Sequence, residues 1–249
     1  MNIYVASGVT SNLFSTLISL KFIPTSVHIY ATSRPTSNTQ GLEQIGVRFV
    51  DSIDQVPNVH RILWLSTHDN VELLTKLSTI APTLVISSGA IMDFIRGKQS
   101  EESLNPYQRS KLSVMRVPGV TKFVPGFFLE DMPLPTWAPK GLHGDTTQKL
   151  FSKLLPEAFD WSKLYSVTPK SYICEAIKTW ITSDVKPDMY IVSSDREYRR
   201  WELRQLAGFR DLEPKGDARL ELIYKDFPHV LAPLTEEEIE RALCFLTQR

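Results

Sequence analysis

The sequence predicts a doubly wound α/β protein, in which a parallel sheet carries helices on both faces. Two observations support this prediction. Short β-branched segments alternate with amphipathic segments through the first half of the chain, and the short segments are apolar on both faces, as the strands of a buried parallel sheet are. A regular succession of strand and helix is typical of such sheets.

Six strands are predicted in the first half, each of about the usual strand length. They are residues 2–7, 26–32, 47–50, 61–66, 83–88 and 121–124. Helices are expected between them, at residues 11–22, 39–46, 68–80 and 104–114. Residues 1–126 are therefore predicted to form the core of the doubly wound fold.

The alternation of strand and helix ends after residue 126, in a segment rich in proline and tryptophan. Residues 127–249 are predicted to form a smaller, mostly helical part, whose one strand is expected to rejoin the sheet. The helices are predicted at 146–155, 170–183, 198–207 and 235–246, and the strand at 189–194. Thr235 and Glu238 have the spacing of a capping box, which marks the start of the last helix.

Composition and charge narrow the class of function. The 249 residues are 42% hydrophobic, enough to bury a sizeable core, and 28 basic residues balance 28 acidic ones. A neutral chain has no net field that attracts nucleic acid or an anionic membrane, so we expect a small-molecule partner. No signal segment or run of 18 apolar residues is visible, so a cytosolic location is expected. The two cysteines and five histidines have no metal-ligand spacing, so no metal is expected.

Ligands of open parallel sheets bind beyond the carboxyl ends of the strands. After the first strand, the segment ASGVTSNLF has one glycine, Gly8, and Ser11 and Phe14 stand where a G-x-x-G-x-x-G loop has its other two. Glycines let such a loop approach a pyrophosphate. A dinucleotide loop and an ordinary turn capped by Thr10 or Ser11 are equally compatible with this segment.

Polar residues also follow the next three strands. Ser33 and Arg34 follow the second strand, where an arginine can pair with the 2′-phosphate of NADP; the alternative is a solvated arginine. Asp51 follows the third strand and could accept a hydrogen bond from an adenine amino group, or could cap its loop. Ser66 ends the fourth strand.

A possible catalytic group follows the fifth strand. Ser88 ends this strand, and Tyr107 and Lys111 stand four residues apart on the next predicted helix, so they share a face. A cation near a phenol favours the phenolate and lowers its pKa. A hydroxyl could hold a carbonyl or alcohol oxygen while the phenol gives or takes its proton. The spacing Y-x-x-x-K is common by chance, so the prediction depends on this arrangement along the chain.

Together these segments resemble the short-chain dehydrogenase/reductase superfamily, in particular its extended and atypical branches. The resemblance rests on SSGAIMD, on Y-x-x-x-K and on VPGFFLED after the sixth strand. It implies a Rossmann fold in which residues 1–126 bind the dinucleotide and residues 127–249 bind the substrate. Tyr107 would be the general acid/base, Lys111 would hold the nicotinamide ribose, and Ser88 would orient the substrate. The implied cofactor-binding residues are Gly8, Thr10, Ser11, Ser33, Arg34, Asp51, Ser66, Lys111, Pro125 and Phe127.

The resemblance implies an NADP-dependent oxidoreductase or epimerase, with NAD as the less favoured cofactor. The substrate would be a small carbonyl or alcohol compound or a nucleotide sugar, and a homodimer is possible. The alternative is a non-catalytic dinucleotide-sensing or scaffold protein on the same fold, which the single glycine of the first loop motivates. Phe14 cannot permit the close packing of helix on strand that glycine gives, so the first helix should lie further out or the loop should be rebuilt.

Overall fold

The structure, a computed structural model, describes residues 1–32, 40–65, 70–129 and 164–199, together with residues 235, 237 and 238. The strands in these ranges are β1 (Asn2–Ser7), β2 (His28–Ala31), β3 (Val47–Phe49), β4 (Val59–Trp64), β5 (Thr83–Ile86), β6 (Val120–Pro125), β7 (Phe127–Phe128), β8 (Leu164–Tyr165), β9 (Val167–Thr168), β10 (Met189–Val192) and β11 (Tyr198–Arg199). The helices are α1 (Asn12–Ser19), α2 (Gln40–Gln44), α3 (Val71–Ser78), α4 (Met92–Ile95), α5 (Pro106–Met115) and α6 (Lys170–Thr182).

Seven strands form one sheet in the order β10-β6-β5-β4-β1-β2-β3. The strands from β1 to β6 pair in parallel with their neighbours, for example Ile3 with Ile29 and Leu63 with Leu84. The chain order reverses between β1 and β4, which is the switch point of a doubly wound sheet. The predicted fold class is therefore confirmed, and β10 joins the sheet beside β6.

The core of the sheet comes from its apolar strands and from one face of each covering helix. The side chains of Ile3, Ile62 and Leu84 are fully buried in the middle strands. On α3, Leu74 and Leu77 lie three residues apart and are both buried, as the 3.6-residue period requires. These strands are therefore covered on both faces, as their unbroken apolar sequences predict.

Four short strands form two further small sheets, which sequence analysis did not predict. The strand β11 pairs with β8 in antiparallel orientation, and β7 pairs with β9 in parallel. The prediction of a helix from residue 198 is wrong at its start, because Tyr198 pairs with Tyr165 and is fully buried. The polar spacing around Tyr198 suited a helix, but the partner strand decides its conformation.

The start of the last predicted helix has the expected cap. The Thr235 amide donates to a carboxylate oxygen of Glu238 at 2.8 Å, and the Glu238 amide donates to the Thr235 hydroxyl at 3.3 Å. These reciprocal hydrogen bonds form a capping box, which confirms the prediction. The predicted helix at 146–155 lies outside the described residues.

The described residues fall into two compact units that interleave along the sequence. The first unit comprises Met1–Ser87, Gln108–Phe123 and Ile177–Tyr190, and the second comprises Ser88–Tyr107, Val124–Ala176 and Ile191–Arg249. The boundary between residues 126 and 127 stays a prediction. No helix in the described ranges is long and apolar enough to span a membrane.

Candidate functional site

The loop after β1 turns at Gly8. Its φ of +84° lies in the left-handed region, and a Cβ there would lie only 2.6 Å from the Leu65 carbonyl carbon. A side chain is therefore excluded at residue 8 both by backbone conformation and by space.

Ser11 is the N-cap of α1. Its Oγ accepts a hydrogen bond from the Phe14 amide at 3.2 Å, and its own amide donates to the Gly8 carbonyl oxygen at 2.9 Å. Of the two capping residues that the sequence allows, the structure therefore selects Ser11, and the Thr10 side chain is exposed. The Phe14 side chain is fully buried, so its ring packs inside the first unit and not on the surface of the loop.

The first turn of α1 leaves an amide group available to a ligand. The amide of Leu13 has no hydrogen-bond acceptor among the described residues, as is usual at a helix N-terminus. Such donors, together with the helix dipole, favour an anion. The loop between β1 and α1 thus fits a pyrophosphate group in its chemistry, although two of the three glycines are absent.

The other residues predicted to bind the cofactor near this edge are only partly described. Asp51 is exposed, and its amide donates to the side-chain oxygen of Gln55 at 2.8 Å. Ser33, Arg34 and Ser66 lie outside the described residues. Within the described ranges, no group of three or more His, Cys, Asp or Glu residues could hold a metal ion.

Ser88 lies just after β5 and caps a short 3₁₀ helix, Gly89–Ile91. Its Oγ accepts a hydrogen bond from the Ala90 amide at 3.2 Å, and the side chain is half-buried. No acceptor for the Ser88 hydroxyl proton is present among the described residues. Among the described residues, the hydroxyl is thus held in place by one hydrogen bond, in which its oxygen is the acceptor.

The helix α5 carries both Tyr107 and Lys111. Tyr107 is half-buried in the first turn, and Lys111 lies one turn later with only 2% of its surface exposed. Lysine is almost never fully buried unless it is paired. Because Tyr107 and Lys111 are four residues apart on α5, the phenol and the buried ammonium lie on one face of the helix, as the sequence predicts.

Three backbone segments of the second unit pack unusually closely beside Ser88. A Cβ on Gly126 would lie 2.4 Å from the Ser166 carbonyl oxygen, and a Cβ on Gly89 would lie 3.0 Å from the Gly126 carbonyl carbon. The Phe127 amide donates to that same Ser166 oxygen at 2.8 Å. The segments after β5, after β6 and between β8 and β9 are therefore fixed with respect to each other.

The predicted residues Pro125 and Phe127 flank Gly126. Pro125 is buried at the end of β6, whereas Phe127 is half-buried in β7. The Phe127 ring packs edge-on against Tyr165, with ring centroids 5.0 Å apart, a geometry that aromatic pairs prefer. Phe127 can therefore present a rigid apolar wall to a ligand.

Sequence analysis missed an ion-pair cluster in the second unit. The Glu197 carboxylate accepts from Arg96, at 2.7 Å, and from Lys98. Its side chain is only 10% exposed. The two cations stand 101 and 99 positions before Glu197 in the chain, so no local pattern could have indicated the pairing.

The ion pairs predict how stability depends on pH. Burial raises the pKa of the Glu197 carboxyl, but the hydrogen bonds and charges of Lys98 and Arg96 outweigh burial and hold that pKa below its usual range. A carboxyl with a lowered pKa contributes stability above its unfolded-state pKa, and this contribution is lost as pH falls through the folded-state value. We expect urea unfolding to show wild type more stable than Glu197→Gln at about pH 7, with the difference shrinking towards about pH 3. A difference that is the same at both pH values would contradict this.

Comparison with known proteins adds information about the fold. No protein-family model matches the sequence, and no curated protein sequence is significantly similar to it. Among solved structures, UDP-glucuronic acid 4-epimerase from Bacillus cereus, in complex with UDP-glucuronic acid and NAD, is similar with a TM-score of 0.58 at 11% identity; the match covers 99% of this chain and 98% of that one.

Two further solved structures have the same kind of similarity. The dTDP-glucose 4,6-dehydratase from Bacillus anthracis, in complex with NAD, matches with a TM-score of 0.53 at 13% identity, over 100% of this chain and 92% of that one. The terminal R domain of the myxalamid PKS-NRPS pathway matches with a TM-score of 0.57 at 15% identity, over 100% and 79%. At such identities the likeness shows the fold alone, which is a Rossmann-like α/β fold.

Proposed function

We propose that the protein is an NAD(P)-dependent oxidoreductase or epimerase with a Ser88, Tyr107 and Lys111 site. The substrate would be a small carbonyl or alcohol compound or a nucleotide sugar. The observation that carries the proposal is the Ser88 hydroxyl, which is fixed by the Ala90 amide and has a proton without an acceptor among the described residues. A hydroxyl held in this way can donate to a substrate oxygen.

The proton would be moved by Tyr107. In reduction, the phenol gives its proton to the oxygen that Ser88 holds, and in oxidation the phenolate takes it back. Lys111 stands one helical turn away, and a buried ammonium favours the charged form of a neighbouring phenol. When bound, the nicotinamide ring supplies or accepts the hydride. Half-buried Phe127 would border this part of the site.

The dinucleotide would be held at the carboxyl end of β1. The backbone turn at Gly8 and the available amide of Leu13 support this placement, because they suit a phosphate group. Exposed Thr10 would lie beside the phosphates, and Asp51 would approach the adenosine. The preference for NADP over NAD rests on Arg34, while the two similar sugar-nucleotide enzymes were solved with NAD. The preference therefore remains a proposal.

Titration with NADH and with NADPH, followed by the fluorescence of the reduced nicotinamide, tests cofactor binding. We expect saturable binding, and we expect Thr10→Glu to weaken it by about tenfold or more, since a carboxylate would repel the phosphates. Thr79→Glu is the matched control. Thr79 is an exposed threonine just after α3, and the same change there should leave the affinity unaltered. No binding of either nucleotide would refute the proposal.

A second candidate function is dinucleotide sensing without catalysis. It is favoured by the Gly8 loop, in which Ser11 and buried Phe14 replace the other two glycines. The two functions differ in one measurable respect, because a sensor would bind the dinucleotide but would show no turnover with any carbonyl, alcohol or nucleotide-sugar substrate. The possible homodimer also stays a prediction, which mass photometry would test.

A further inference from the structure

The segment between Ser88 and Tyr107 carries one proposed catalytic hydroxyl at each end. It belongs to the second unit and contains α4, an exposed turn at Gly97 with φ of +71°, and a 3₁₀ helix at Glu101–Ser103. Short elements joined by turns hold their shape less firmly than one long helix. Contacts made by the middle of the segment therefore affect where both hydroxyls lie.

The middle of this segment forms ion pairs with Glu197. Arg96 ends α4 and Lys98 follows the turn, and both donate to the Glu197 carboxylate. The two cations approach different oxygens of the carboxylate, so the turn is held on both sides of Gly97. Since the Arg96 and Glu197 side chains are both mostly buried, solvent and salt weaken this pair less than they weaken pairs on the surface, whereas the Lys98 side chain is half-exposed.

Glu197 itself is firmly placed. It directly precedes β11, where Tyr198 is fully buried and pairs with Tyr165 of β8. The Arg196 guanidinium lies 4.0 Å from the centre of the Tyr198 ring and donates to the Glu197 carbonyl oxygen at 3.3 Å. Tyr165 in turn packs against Phe127. The ion pairs of Glu197 with Arg96 and Lys98 thus connect the segment between Ser88 and Tyr107 to the two small sheets, one of which contains Phe127.

We propose that Glu197 is a positioning residue, whose carboxylate fixes the segment between Ser88 and Tyr107 and so sets the geometry of the two catalytic hydroxyls. This inference rests on the proposed function. Displacement of a catalytic group by about 1 Å can cost about 100-fold in rate. Weakening the ion pairs of Glu197 should therefore lower kcat. It should leave dinucleotide affinity unchanged, because the groups that would hold the phosphates belong to the first unit.

The test compares Glu197→Gln with Asp184→Asn, which removes the fully exposed carboxylate partner of Arg61. In Glu197→Gln, hydrogen–deuterium exchange in peptides covering residues 93–106 should be about tenfold faster than in wild type. The kcat should fall by about tenfold, with the NADH Kd changed less than twofold. Glu197→Asp should recover part of the loss, and Asp184→Asn should change none of these quantities. Unchanged exchange together with unchanged kcat in Glu197→Gln would overturn the proposal.

The exchange measurement separates this inference from the proposed function. If wild type shows no turnover, the proposed function fails, and faster exchange in Glu197→Gln still shows whether the carboxylate holds the segment. If Glu197→Gln does not fold, Arg96→Met and Lys98→Met can be used, because each removes one of the two ion pairs with Glu197. Exchange at the wild-type rate in both of these variants would overturn the inference.

Discussion

Replacing Tyr107 with phenylalanine is expected to lower kcat by about 10³-fold, because the change removes the only group that the proposed mechanism uses to move the proton. The half-buried ring keeps its shape and loses one oxygen atom, so the fold should be unaffected. The Kd for the dinucleotide should change less than about twofold, since the phenol acts on the substrate oxygen. Steady-state kinetics and the NADH titration measure the two quantities on the same preparation.

The matched control for this prediction is Tyr190→Phe. The Tyr190 hydroxyl donates to the Lys186 carbonyl oxygen on the exposed surface, so its loss should leave kcat and dinucleotide affinity near the wild-type values. Turnover that persists at the wild-type rate in Tyr107→Phe would exclude Tyr107 as the acid/base. A loss of dinucleotide binding in that variant would instead mean that Tyr107 supports the structure of the site.

Replacing Gly126 with alanine is expected to lower the free energy of unfolding by about 3 kcal/mol or more. The added Cβ would lie 2.4 Å from the Ser166 carbonyl oxygen and 2.6 Å from the Val167 nitrogen. Both are backbone atoms, so relief requires that the main chain moves. The hydrogen bonds from the Gly126 amide to the Thr168 hydroxyl, and from the Phe127 amide to Ser166, would be distorted as well.

Equilibrium unfolding in urea measures this loss, with Gly41→Ala as the control. Gly41 lies in α2 with no atom within 4 Å of an added Cβ and no positive φ. Alanine there should stabilise the helix slightly, by up to about 1 kcal/mol. If Gly126→Ala unfolds at the wild-type urea concentration, the segments after β6 and between β8 and β9 cannot lie as close as the structure places them.

Much of the fold could be predicted because its signals are local. Apolar residues such as Ile3, Leu63 and Leu84 occur in short β-branched runs that suit a buried strand, whichever strand they pair with. All seven strands of the main sheet were found in this way, within a few residues of their ends. The helix with Tyr107 and Lys111 was also found, because i and i+4 spacing is a property of one helix alone.

The small sheets could not be predicted for the opposite reason. Strands of two residues, such as β8 and β11, are too short to show a period, and their backbone hydrogen bonds decide their conformation. The same segment, around Tyr198, was mistaken for a helix because its charged residues have a spacing that a helix would also accommodate. In the structure the Tyr198 ring is fully buried, so this residue does not lie on an exposed helix face.

The sequence by itself determined which chemical groups follow which strands, since the order of strands and the residues after them are written along the chain. It placed Gly8 after β1, Ser88 after β5, and Tyr107 with Lys111 together on one helix, which is α5. The tertiary structure alone decided that the Ser88 hydroxyl accepts from the Ala90 amide, that Gly126 has no room for a side chain, and that Glu197 holds Arg96 and Lys98. The last two of these depend on distances between residues far apart in the chain, and such distances are fixed only when the whole chain packs.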